Sequence, residues 1–442
     1  MKINIITLGC SKNTVDSENV AGHLTRQGHR LFFDRADNDC DVVVVNTCGF
    51  IGDAKEESVQ TLLEQVEAKR RFDRRHRHDG RRRRLIATGC LIQRYRDALQ
   101  AELPEVDGWY GVNEWEQAIA AAGNTAPSLP FCQQRILSTP SHYAYLKIAE
   151  GCNRSCSYCA IPLIRGPYVS RPIDELVDEA RQMVSDGVRE LLVIAQDTTY
   201  YGLDRYGYRR IGELLDRLAS ESGARWIRLH YTYPADFPDD VIAAIRNHDN
   251  ICNYIDIPLQ HINSGLLHSM RRGIDRDETL RLIDRLRSAL PDICLRTTLI
   301  VGYPGEGEQE FDELKTFVTN ARFDRMGCFA YSQEEGTPAE PLGDPVPDEE
   351  KQRRVSELMA IQESISRQRN EQLVGKTLTV LIDRAEGDYF VGRTEYDSPE
   401  IDDEVLIPVS QYRCTPGHFY QASVTGAMEN DLFAKVTAPA PI

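Results

Sequence analysis

The sequence predicts an α/β protein in three parts: an N-terminal doubly wound α/β domain, a central partial (β/α)6 barrel and a small antiparallel C-terminal β-barrel. Three observations predict it. Apolar runs that read as buried parallel strands alternate with amphipathic helical stretches in the first part. From about residue 142 a longer strand–helix series runs through six units, enough for an open version of a parallel β/α barrel. The last 70 residues then change to short strand-like runs. At 442 residues the chain has room for two or three domains, and the boundaries read as 1–125, 138–370 and 371–440.

The elements follow in order. "INIITLG" (3–9) reads as a strand and "VDSENVAGHLTRQG" as an amphipathic helix stopped by Gly28. "DVVVVN" (41–46) is a continuous apolar run, a helix follows over roughly 53–70, and "LIA" (85–87) begins another strand. The six strands of the central series are "YAYLKIA", "ELLVIAQ", "WIRLHYT", "NYIDIPL", "CLRTTLIVG" and "RMGCFAYS", separated by helical stretches such as "PIDELVDEARQMVSDG". A Pro-, Gly- and acid-rich segment (334–350) reads as a surface loop, followed by a charged helix over roughly 349–373. "TLTVLID", "YFVGRTE", "DEVLIPV", "HFYQASVTG" and "LFAKVTA" supply five short strands, enough for a small barrel of OB-like size.

Composition narrows the function. With 41% hydrophobic and 27% charged residues the chain reads as an ordinary globular protein. It has no apolar run of ~18 residues and no signal-like start, so a cytoplasmic location without membrane contact is expected. A net charge of −16 argues against broad nucleic-acid binding by the whole surface. Twelve cysteines in such a chain point to metal or catalysis rather than to disulfides. One segment is compositionally odd: "KRRFDRRHRHDGRRRR" (69–84) holds ten Lys or Arg in sixteen residues. It is a solvated loop between helix and strand, or an arm that contacts phosphates such as those of ribosomal RNA.

The cysteines carry the chemistry. Cys152, Cys156 and Cys159 stand in a C-x3-C-x2-C loop just after the first barrel strand, at the active-site face of such a fold. Three thiolates are one short of the four that tetrahedral zinc or an ordinary iron–sulfur cluster takes. Either a remote residue completes a zinc site, or a 4Fe–4S cluster keeps one iron open for a small molecule. Cys10, Cys48 and Cys90 each follow an N-terminal strand and each adjoin a glycine. Loops that follow parallel strands emerge on one sheet edge, so these three can converge although 38 and 42 residues separate them. The alternative is three buried small apolar residues. Cys40, Cys132, Cys252, Cys294, Cys328 and Cys414 lack this arrangement and read as structural.

"TLGCSKNTVDSE", "VVNTCGFIGDAKEES", "TGCLIQRY", "GCNRSCSYCAIPLIRG", "YIDIPLQHINSGLLHSMRRG" and "TTLIVGYPGE" occur in the order seen in the methylthiotransferase family of radical S-adenosylmethionine (SAM) enzymes, which the chain resembles over nearly its whole length. Tyr158 takes the aromatic place before the third cysteine of the radical SAM signature. The resemblance implies two 4Fe–4S clusters, one on Cys152, Cys156 and Cys159 and one on Cys10, Cys48 and Cys90, and a C-terminal TRAM barrel. It implies two uses of SAM: one molecule gives a methyl group to sulfur on the N-terminal cluster. A second, bound to the open iron and cleaved with an electron from a donor protein, yields the radical that removes hydrogen from the substrate. The basic segment at 69–84 departs from the family pattern and lies outside its motifs.

Other residues at the strand ends are candidates for holding SAM. Gln196 and Asp197, with Thr198, end the second barrel strand and suit ribose hydroxyls or an ammonium; loop capping is the alternative. Arg296 on the fifth strand needs an anionic partner, either the SAM carboxylate or a carboxylate of the chain. Gly302, with Pro304 and Gly305, makes a turn that lets backbone approach the adenine, and Glu306 would cap the next helix. For the substrate, residues 371–442 hold twelve acids and five Lys or Arg. An acidic barrel fits a basic protein better than tRNA phosphates. "YDSPEID" also resembles the branch of the family that methylthiolates the β-carbon of an aspartate in ribosomal protein number twelve of the small subunit. The alternative is the branch that modifies isopentenyladenosine in tRNA.

Overall fold

The computed structural model describes residues 1–35, 39–127 and 135–440, so Cys132 lies outside the described residues. Strands β1 (Lys2–Thr7), β2 (Arg30–Phe33), β3 (Val42–Thr47), β4 (Arg84–Gly89) and β5 (Gly108–Tyr110) form one parallel sheet in the order β2-β1-β3-β4-β5. Every residue of β3 is buried, as its unbroken apolar run predicts for a strand covered on both faces. Helices α1 (Ser11–Arg26), α2 (Gly52–Arg75), α3 (Cys90–Glu102) and α4 (Trp115–Gly123) complete the domain. Thr7 lies opposite Asn46, and Thr47 opposite Gly89. The chain therefore leaves β1, β3 and β4 at nearly one level.

The basic segment is not simply a loop. Its first seven residues extend α2 to Arg75, consistent with the good helix propensity of Lys and Arg. Several of its charges serve the fold. Lys69 bonds Glu105 and Asp107, Arg81 bonds Asp41, and buried Arg83 bonds the Cys40 carbonyl and stacks on Phe72. Arg71, Arg74, Arg75, Arg77 and Arg82 remain exposed.

In the central domain β6 (Tyr143–Lys147) is followed by a short ribbon, β7 (Ala149–Glu150) with β8 (Val169–Ser170). Then come β9 (Glu190–Ile194), β10 (Trp226–Leu229), β11 (Ile251–Asp256), β12 (Cys294–Val301) and β13 (Arg325–Ala330). The six long strands run parallel in the order β13-β12-β11-β10-β9-β6 and do not close. A continuous apolar core lies between them and the helices outside. Among the described residues no helix is long and apolar enough to cross a membrane.

Strands β14 (Thr377–Glu386), β15 (Tyr389–Arg393), β16 (Glu404–Pro408), β17 (Phe419–Ala427) and β18 (Asp431–Pro439) close into a barrel. All neighbours are antiparallel except β16 and β18, which run parallel. Five strands cannot alternate in direction all the way round, so closure requires such a pair.

The loop from β15 to β16 corrects the expected role of the acidic run. Instead of facing a partner, residues 394–403 enter the open barrel from below, where they meet side chains that stand early on its strands. Tyr143 of β6 donates to Glu400 at 3.0 Å, and fully buried Arg228 of β10 donates to the Glu395 carbonyl at 2.6 Å. Tyr254 of β11 and Arg296 of β12 donate to Asp402 at 2.8 and 3.2 Å. Arg325 of β13 pairs with Asp397 at 2.5 Å and Asp403 at 3.2 Å. Glu190 of β9 binds both Arg228 and Arg393 at 2.8 Å. Asp397, Asp402 and Asp403 are committed to arginines of the central domain and are not available to a basic ribosomal protein, whereas exposed Glu400 is held by Tyr143. A buried ion pair is weak evidence for stability, but removing one partner is costly. The loop therefore fixes the two domains together.

Charge at this plug is not balanced. Asp397 and Asp403 share Arg325, and burial raises Asp403 to about 7, with Arg325 opposing and Asp397 adding to the rise. An unfolded Asp titrates near 3.9, so the folded state holds the extra proton between those values. The cost of ionising Asp403 thus grows as pH rises toward 7 and is fully present above it. Asp403→Asn, which keeps an acceptor for Asn370, should stabilise the protein by about 1–3 kcal/mol at pH 8 and little at pH 5. Thermal unfolding across that range checks this; parallel curves for the two proteins would contradict it.

Candidate active site

The N-terminal triad is built from strand ends and helix starts. Cys10 is the N-cap of α1, and Cys90 opens α3, positions where the helix dipole favours a thiolate. Cys48 is fixed by Ser58, whose Oγ accepts from the Cys48 N–H at 3.0 Å and donates to its carbonyl at 2.9 Å. The neighbouring glycines bring the three loops together rather than making room for a ligand. A Cβ on Gly9, at φ +89°, would lie 2.6 Å from the Cys48 Cβ, and one on Gly49 would lie 2.7 Å from the Leu91 backbone. Burial pushes up the Cys48 thiol and raises Cys90 to about 12. Arg165 opposes both shifts. This buried guanidinium reaches in from the central domain and bonds Asn13 at 2.6 Å, Glu150 at 2.8 Å and Asp16 at 3.1 Å.

The second triad lies on the loop after β6. Ser157 locks it in place: its N–H bonds the Met270 carbonyl, and its hydroxyl donates to the Ser269 carbonyl at 2.8 Å. Arg272 Nη1 lies 3.4 Å from Cys156 Sγ and 3.3 Å from Tyr158 Oη, and the Arg154 N–H donates to Cys152 Sγ at 3.4 Å. Burial raises Cys152 to about 11 and Cys159 to about 12. A thiol binds metal as a thiolate, so loading either triad releases protons.

The two triads adjoin. Cys90 packs with Ala160 and Ile164, the first of which directly follows Cys159. Glu334, at 2% exposure, holds the domains in this position by pairing with Arg94 at 2.6 Å and Lys55 at 3.0 Å. It therefore does not belong to a surface loop. Among the described residues no three His, Cys, Asp or Glu side chains converge tightly enough for a single metal ion.

The remaining sequence candidates divide. Tyr158 stands beside the triad under Arg272. Gln196 is half-buried near the end of β9, and Asp197 is engaged by Arg154 at 2.6 Å and Thr199 at 2.6 Å. Arg296 is met by Asp256 and Asp402, carboxylates of the chain itself. Gly302, at φ +77°, is packed against the Lys351 side chain, where a Cβ would lie 2.5 Å from Cγ. Glu306 does not cap the next helix. It pairs with Arg354 at 2.8 Å, while Gly307 is the N-cap. Arg165, Arg272 and Glu334 escaped the sequence reading, because the partners that give them their roles, Asn13 and Asp16, Cys156 and Tyr158, and Lys55 and Arg94 respectively, lie more than 100 residues away and no local pattern marks them.

Family models now define the class. Residues 146–318 match the radical SAM superfamily, residues 374–437 the TRAM domain, and residues 2–111 the uncharacterized protein family UPF0004. By structure the chain resembles the radical SAM methyltransferase TsrM of Kitasatospora setae, solved with cobalamin and a [4Fe-4S] cluster. The TM-score is 0.53 at 13% identity, over 81% of this chain and 90% of that one. It also resembles the cobalamin-dependent radical enzyme OxsB, with a TM-score of 0.51 at 10% identity over 82% and 56% of the two chains. These likenesses concern the fold.

Sequence relatives are nearer. Proteins described as ribosomal protein uS12 methylthiotransferase RimO are 51% identical in Porphyromonas gingivalis and 49% in Bacteroides thetaiotaomicron, over 98% of this chain and 99% and 98% of theirs. The relative from Flavobacterium johnsoniae is 48% identical over 98% of both chains. The chain belongs to the RimO family of methylthiotransferases.

Gly9→Ala should displace Cys48 and disable the N-terminal triad alone. After anaerobic reconstitution with iron and sulfide, bound iron should fall from about eight to about four atoms per chain. An alanine variant with undiminished iron would show that this triad holds no cluster.

Proposed function

We propose that the protein transfers a methylthio group to the β-carbon of an aspartate in ribosomal protein uS12, in the cytoplasm, using SAM and two 4Fe–4S clusters. The observation that carries this reading is the adjacency of two cysteine triads at one domain junction, in a chain alike over its full length to proteins named for that activity. Cys152, Cys156 and Cys159 would hold the cluster that binds SAM, and Cys10, Cys48 and Cys90 the cluster that carries the sulfur. When bound, these groups supply the radical chemistry and the methylthio group.

The chain supplies position and charge. Arg272 and Arg165 place positive charge beside thiolates that burial would otherwise oppose. Asp197 fixes Arg154 and with it the loop of the second triad. Tyr158, beside the second triad, and Gln196, near the end of β9, are the residues this reading gives to SAM, whereas Arg296 and Gly302 are occupied by the chain and act through the plug and the packing of Lys351. An external donor protein delivers the electrons.

The exposed arginines 71, 74, 75, 77 and 82 extend this reading to an assembled particle. They cluster at the far end of α2, about 35 Å along the helix from the cysteine edge, and suit phosphates of ribosomal RNA. Arg74→Glu with Arg75→Glu and Arg77→Glu should weaken binding to small subunits several-fold and leave binding of isolated uS12 unchanged. Equal loss for both would contradict the assignment.

Intact-mass and fragment analysis of ribosomal proteins from cells with and without this gene tests the substrate. One aspartate of uS12 should gain the mass of SCH3 in place of hydrogen. A methylthiolated adenosine in tRNA, with uS12 unmodified, would favour the other branch of the family.

A further inference from the structure

Lys12 lies in the first turn of α1, two residues beyond Cys10, and is 4% exposed. Its ammonium sits 2.8 Å from the ring centroid of Tyr231, which follows β10 at the mouth of the central barrel. No carboxylate among the described residues lies within ion-pair distance of it. The neighbouring acids are taken: Asp16 binds Lys147 and Arg165, and Asp256 binds Arg296 and the Tyr231 N–H. An ammonium on a largely buried side chain favours an anion beside it, a need that an aromatic face meets only in part.

The platform beneath it is itself unusual. Tyr231 has φ +56°, a conformation that a bulky residue adopts only when its surroundings impose it. Its N–H donates to Asp256 at 3.0 Å, its carbonyl accepts from the Thr198 N–H at 3.0 Å, and its hydroxyl lies 3.5 Å from Ser11 Oγ. The barrel thus holds a strained tyrosine against the start of α1, under the charge of Lys12, at the junction where the two triads adjoin. The first turn of a 16-residue helix adds to the preference for an anion there.

We infer that Lys12 is a specificity residue that receives the carboxylate of the substrate aspartate and so presents its β-carbon between the two cysteine triads. This rests on the function proposed above. It gives the chain a means of choosing an acidic residue over an amide of nearly the same shape, since a charge-assisted hydrogen bond would be lost with the amide.

The test is a cycle between enzyme and substrate. A uS12 segment carrying the target aspartate, and the same segment with asparagine there, are titrated against the reconstituted enzyme, with affinity read by fluorescence anisotropy. The wild type should prefer aspartate at least tenfold. Lys12→Met and Lys12→Gln should bind both segments with the affinity that the wild type shows for asparagine, and Lys12→Arg should keep the preference. Both neutral variants are compared at matched iron content. A neutral variant that keeps the full preference, or a wild type with none that still methylthiolates the aspartate segment, would overturn the role of Lys12 while sparing the proposed function. A wild type that neither binds nor modifies the segment would overturn both.

Discussion

Arginines inside an open barrel are the constraint on which the rest of this structure depends. Buried Arg228 and Arg325 and half-buried Arg296 stand near the starts of their strands, and such charges require carboxylates. Asp256 and Glu190 supply part of the need. The rest comes from another domain, through the loop that carries Asp397, Asp402 and Asp403 between β15 and β16. Attaching the C-terminal barrel and filling the lower half of the central one are therefore one event. The upper half carries the second triad at its mouth.

The same logic governs the mouth. Burial disfavours the thiolate at Cys48 and Cys90 in one triad and at Cys152 and Cys159 in the other, and each triad has a buried arginine beside it. Arg165 is the more consequential of the two, because it starts in the central domain and ends among Asn13, Asp16 and the N-terminal triad. Glu334 reaches the other way, to Lys55 and Arg94. Docking of the two domains is thus tied to the environment of the cysteines, and neither triad would have its present surroundings in an isolated domain.

Much of this was legible in the sequence. The three-part fold followed from the period of apolar residues, the N-terminal triad from cysteines placed after strands whose ends share a sheet edge, and the second triad from its C-x3-C-x2-C spacing within one loop. What stayed hidden depends on long-range pairing. The run "YDSPEID" reads as a charged surface, because composition cannot tell an exposed acid from one buried against an arginine 70 or more residues away. Arg296 was correctly expected to need an anion, yet its partner could be chosen only once Asp402 was seen beside it. Glycines beside the cysteines suggested close approach, and the approach is between the loops themselves. Lys12 drew no attention as one lysine in a helix start; only its burial over Tyr231 distinguishes it.

The most direct test of the whole account is a crystal structure of the anaerobically reconstituted enzyme with SAM and a uS12 segment bound. The account predicts one cluster on each triad, both open irons facing a single cleft, and the substrate aspartate between them with its carboxylate toward Lys12. A segment seated away from that cleft, or clusters whose open irons face separate surfaces, would contradict it.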